Sequence, residues 1–96
     1  MKIPKRVKIG AIHYRVKITK EWPGYDGADA QTFYDKIHGN TIFLNGELTQ
    51  QAMEIAFLHE AYHCMNSTMN HEFLDSLSEQ TYSFLIENDL LKWKKS

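Results

Sequence analysis

Apolar residues change their spacing at residue 46. Before it they alternate or cluster in short runs, and after it they recur at helical intervals. Ile12, Tyr14, Val16 and Ile18 alternate with His13, Arg15 and Lys17, the period of two of a half-buried strand. Val7 and Ile9 are placed to pair with it across a Gly10-Ala11 turn. Residues 21–30 carry Pro23, Gly24, Asp26 and Gly27 and read as a loop. Residues 32–37 and 41–44 are two short β-prone runs, with His38, Gly39 and Asn40 between them as a hairpin turn. Asn45-Gly46 closes the strand region. Thr49 then serves as an N-cap for a helix predicted over about 49–67, with Ala52, Ile55, Ala56, His59, Tyr62 and His63 at helical spacing. A polar turn near 66–70 precedes a second helix over about 72–91. Its predicted stripe is Leu74, Leu77, Thr81, Phe84, Leu85 and Asn88, with Phe73 at one edge. The order is α+β: a small antiparallel sheet of three to four strands within about 5–45, followed by two long helices.

Length admits one domain, 1–96, with no linker and no internal repeat. The composition, 43% hydrophobic and 24% charged, is that of a folded domain. The single cysteine, Cys64, cannot make an internal disulfide, which points away from a disulfide-stapled secreted scaffold. No apolar run approaches the length of a membrane span, and the basic N-terminus lacks a following signal-type apolar stretch. The expectation is a cytoplasmic protein with no membrane partner.

The net charge of −1 hides a segregation. Lys2, Lys5, Arg6, Lys8, Arg15, Lys17 and Lys20 crowd the first 20 residues, which hold no acid. Residues 47–91 hold eight acids and no Lys or Arg. The basic segment is read as a solvated strand face in preference to a nucleic-acid surface. The acidic half suits a cation and contains His59, His63 and His71.

Residues 59–63 read His-Glu-Ala-Tyr-His, the pattern H-E-x-x-H. A spacing of four on a helix puts both imidazoles on one face, about one turn apart, where both can reach a zinc ion. Glu60 is rotated about 100° from His59. It is therefore placed to take a proton from a water at the metal instead of ligating it. A third ligand should follow His63, with His71, Glu72 and Asp75 as near candidates and Glu79 beyond. Helical periodicity leaves them open.

The opening residues 1–10, Tyr14-Arg15-Val16, the strand Ile42-Phe43-Leu44, the H-E-x-x-H and the final helix together resemble a family of small zincin-like proteins from phages and mobile elements of Gram-positive bacteria. In that helix Glu72, Leu74, Asp75, Leu77, Ser78, Tyr82, Leu85 and Asn88 match the pattern. Members look like minimal gluzincin-type metallopeptidases. The resemblance implies Zn²⁺ held by His59, His63 and an acidic residue, Glu72 with Asp75 as the alternative, Glu72 offering the longer carboxylate. It departs from the family at His71, where an acid is frequent, and at Asp75, where Glu is frequent. The implied function is zinc-dependent hydrolysis of peptide bonds with Glu60 as general base, in the cytoplasm of a bacterial host. The alternative is a catalytically silent zincin fold that acts by binding a host or phage protein.

Four further readings accompany the site. The strand at 41–44 is expected nearest the metal, where an extended peptide could add to an edge. Tyr62 and Tyr82 are candidate hydroxyl donors to a developing oxyanion, with local packing as the plainer role. His13 and His38 read as solvated, and Cys64 as an inert thiol. Met53, Met65 and Met69 read as core filler, while Trp22 covers a loop or meets a partner.

Overall fold

A computed structural model describes residues 2–21, 28–34 and 39–91. The chain runs β1 (Arg6–Ile9), β2 (Ile12–Thr19), β3 (Ala30–Phe33), β4 (Thr41–Asn45), α1 (Gln50–Met65) and α2 (His71–Glu87). The fold is α+β, a four-stranded sheet followed by two helices. Trp22, His38 and the loop residues 22–27 lie outside the described residues.

β1 and β2 form the expected hairpin, with Val7 opposite Tyr14 and Ile9 opposite Ile12. Gly10 in its turn has φ +62°, a conformation in which a side chain would be strained. Tyr14 and Val16 are buried. Ile12 and Ile18, at the ends of the same alternating row, are 44% and 52% exposed.

The sheet is mixed, where an antiparallel one was expected. Its order is β1-β2-β4-β3, with β4 parallel to β2 and antiparallel to β3. The reason lies in β4 itself. Thr41, Ile42, Phe43 and Leu44 are all buried, so this strand needs cover on both faces and takes an internal position. β3 is only half-buried along its length and forms an edge. The continuous apolar run Ile42-Phe43-Leu44, in place of an alternation, is the sequence signal for that arrangement.

α1 packs on one face of the sheet. Ile9, Tyr14, Val16, Ile42 and Leu44 from the strands meet Met53, Ala56, Phe57 and Ala61 from the helix. α2 packs on α1 and makes no contact with the strands. The described chain is therefore layered as sheet, α1, α2. A helix in the middle layer must be covered on two sides, so α1 lacks a clean apolar stripe and even buries Glu54 and Glu60. α2 is the outer layer and buries one ridge, Leu74, Ser78 and Tyr82, at intervals of four. That ridge corrects the predicted stripe: Leu74 belongs to it, Leu77, Thr81 and Leu85 flank it half-buried, and Phe84 and Asn88 are exposed. Ser78 is fully buried and its hydroxyl donates to the Leu74 carbonyl at 2.7 Å. Its small side chain lets the two helices approach.

Thr49 caps α1, its hydroxyl accepting from the Ala52 N–H at 3.2 Å. Asn70 caps α2 in the same way, accepting from Phe73 N–H at 2.7 Å. The second cap starts α2 at His71, one residue earlier than the pattern suggested. That early start carries His71 into the helix and toward α1.

Candidate metal centre

The site lies where the second half of α1 meets the first turns of α2. α1 presents His59 and His63 from one face, as their spacing dictates. α2 enters from Asn70 and presents His71 in its first turn. Each of the three imidazoles offers a nitrogen within 4.8 Å of the others, and this is the one such group of metal-binding side chains among the described residues. The ring centroids are 4.7 Å apart for His59–His63 and for His63–His71, and 5.5 Å for His59–His71.

Asp75, one turn after His71, reaches back to His59. Its Oδ1 lies 3.0 Å from His59 Nδ1. A neutral His59 donating from Nδ1 to this carboxylate keeps its lone pair on Nε2. The Asp75 side chain is 66% exposed, so the contact orients the ring and adds little stability of its own. Burial holds the His63 pKa below the ordinary imidazole range. Glu60 pulls it the other way, His59 and His71 push it further down, and Asp75 opposes them. A neutral imidazole is the form that binds a metal.

Glu60 bridges from α1 toward β3 and shares a cleft with His59 and His71. It is 7% exposed, and its Oε1 accepts a hydrogen bond from Thr32 Oγ1 at 2.8 Å. It lines a cleft of about 510 Å³ together with His59, His71, Asp75, Glu79, Ala28 and Ala30. One wall of the cleft is thus the segment leading into β3 and its first residue, Ala30, whereas β4, the strand expected nearest the metal, is internal.

His59, Glu60 and His63 stand as the sequence pattern places them, on one stretch of α1. Of the third-ligand candidates, the structure brings His71 to the two histidines and sets Asp75 behind His59. Glu72, the preferred candidate from the sequence, is exposed in the first turn of α2 and lies neither in the imidazole group nor along the cleft. The physical reason is the cap at Asn70. With the helix starting at 71, positions 71 and 75 share the face turned to α1, and position 72 turns about 100° away. Thr32 was not foreseen, since only the pairing of β3 with the sheet shows that it faces α1.

Neither tyrosine considered for an oxyanion role lines the cleft. Tyr62 shares a 2.8 Å hydrogen bond with Thr81 across the helix pair, and the buried Tyr82 hydroxyl donates to Glu54 Oε1 at 3.3 Å. Both are interhelical contacts. Cys64 is half-buried, with Sγ 3.8 Å from the Tyr34 hydroxyl. Met53 is in the core, whereas Met65 is 63% exposed. No helix among the described residues is long and apolar enough to cross a membrane.

Three nitrogen donors bound to one zinc at about 2.0–2.1 Å are a donor set that zinc uses in catalytic sites, with a fourth position left for water or substrate. Three imidazoles gathered from two helices, one of them in contact with a carboxylate, offer donor chemistry of this kind. Comparison with protein-family models, with curated proteins and with solved structures finds no match for this chain.

Proposed function

We propose that the chain is a zinc-dependent hydrolase acting on peptide bonds, its metal held by His59, His63 and His71 and its proton carried by Glu60. The observation that supports this reading most directly is the group of three imidazoles, two of which, His59 and His71, line a cleft with the buried carboxylate of Glu60. This version replaces the acidic third ligand implied by the family resemblance with a histidine. Zinc, when bound, supplies Lewis-acid polarisation of a substrate oxygen and lowers the pKa of water.

The chain's own residues supply the remainder. Thr32 anchors one oxygen of Glu60, which fixes the carboxylate toward the cleft. The carboxylate can accept a proton from water there and return it to the departing amine. Asp75 fixes the His59 ring. β3, at the edge of the described sheet, begins at the cleft with Ala30 and offers extended backbone beside which a peptide strand could lie.

The test is metal content by mass spectrometry on untagged protein, with His71→Ala, Glu72→Gln and Glu60→Gln compared in parallel. The expected result is about one zinc per chain, lost in His71→Ala and kept in the other two variants, with cleavage of a peptide library lost in Glu60→Gln. Zinc with no cleavage by the native chain would instead support a silent zincin fold that works by binding another protein. No metal after zinc addition at neutral pH would end the metal reading altogether.

A further inference from the structure

The face of the sheet turned away from α1 carries a second feature, independent of the metal centre. Alternation along β1 and β2 sends Arg6, Lys8, His13, Arg15 and Lys17 to that face, while Val7, Ile9, Tyr14 and Val16 face the core. All five outward residues are exposed. The register sets Arg6 directly opposite Arg15 and Lys8 directly opposite His13. The like charges of Arg6 and Arg15 in this cross-strand position repel and weaken the hairpin. None of Arg6, Lys8, Arg15 and Lys17 has a salt-bridge partner among the described residues, and residues 2–20 contain no acid to supply one. Beside Arg6 and Arg15 the surface dips into a depression of about 400 Å³, shared with His13, Asn40 and Thr41.

We infer that this face binds the phosphate backbone of double-stranded nucleic acid, without reading its sequence. A patch whose charges repel one another is relieved by a polyanion that spans several of them. The outward positions of the hairpin contain no apolar side chain, so they lack the apolar centre of a protein–protein interface and the apolar face that inserts into a membrane. They also carry no Phe, Tyr or Trp on which an unpaired base could stack. On the same side of the sheet, beyond the hairpin, Phe43 is buried and Phe33 half-buried, and the two rings pack edge-to-face on each other with centroids 5.3 Å apart. What remains along the hairpin is an array of cations suited to duplex phosphates.

The probe is a fluorescein-labelled 16-base-pair DNA duplex, read by fluorescence anisotropy across a sodium chloride series. Four full charges on the face set a slope of log affinity against log salt of about −3.6, or roughly a 150-fold loss between 50 and 200 mM salt. Charge reversal of the exposed pair, Arg15→Glu with Lys17→Glu, is expected to remove most binding at low salt. Lys20→Glu, the same kind of change off this face, should leave most of it. Circular dichroism confirms that each variant is folded. The inference is overturned by absence of duplex binding at 25 mM salt, or by a slope shallower than about −1.5. It is also overturned if Lys20→Glu weakens binding as much as the double variant. Preference for vesicles containing phosphatidylserine over the duplex would likewise overturn it and assign the face to a lipid surface. None of these outcomes depends on zinc.

Discussion

The hydrogen bond from Thr32 to Glu60 ties β3 to α1 across 28 residues of sequence, and its removal is the sharpest test of how the site is held. Thr32→Val keeps the side chain's shape and deletes the donor. Glu60 is 7% exposed, so the carboxylate oxygen that loses its partner is poorly placed to recruit water in its stead. Hydrogen bonds to charged groups contribute about 1.5–3 kcal/mol. Because Glu60 also borders the open cleft, the lower end applies, about 1.5 kcal/mol. For a domain of this size that corresponds to a fall in Tm of about 6–12 °C. Urea unfolding followed by far-UV circular dichroism measures the loss, which should appear as a lower midpoint at unchanged m-value. In a Glu60→Ala background the same threonine change should cost almost nothing, since its acceptor is gone. The coupling energy of that double-mutant cycle then isolates the contact. A loss below about 0.5 kcal/mol for Thr32→Val, or a coupling energy of zero, would refute the anchoring role.

Asp75→Asn should weaken zinc binding about 10–100-fold by loosening the His59 ring, measured by competition with a chromophoric chelator, while Glu72→Gln leaves affinity unchanged. Leu74→Ala removes a fully buried side chain at the α1–α2 contact and should cost about 2–5 kcal/mol in urea unfolding; a cost under about 1 kcal/mol would mean that α2 is not held by its ridge. Burial, and then the neighbouring Glu54 carboxylate, push the Tyr82 pKa upward, so the folded chain keeps this proton longer than the unfolded one. The stability this gives is complete below about pH 10 and is lost as pH rises toward the raised folded value. Tyr82→Phe should make the alkaline fall in stability shallower, and an unchanged fall would contradict the buried hydroxyl.

Local pattern alone determined a good deal of this protein. The β1–β2 hairpin, the two helices, the Thr49 cap and the joint presentation of His59 and His63 all depend on residues within a few positions of one another. Periods of two and 3.6 express that short-range geometry directly. The segregation of charge was also visible, but its spacing along the chain did not show that five basic side chains share one face with no acid among them. That required the β1–β2 register and the side on which α1 packs. The internal place of β4 depended on which strand could bury both faces, a competition among segments far apart in sequence. The third histidine depended on where α2 begins. A start at Asn70 turns His71 and Asp75 toward α1 and Glu72 away from it, and no property of Glu72 itself reports that rotation. Thr32 meets Glu60 only because strand pairing and helix packing bring together groups that the chain separates by 28 positions. Backbone periodicity carries no information about such contacts, and only the packed layers decide them.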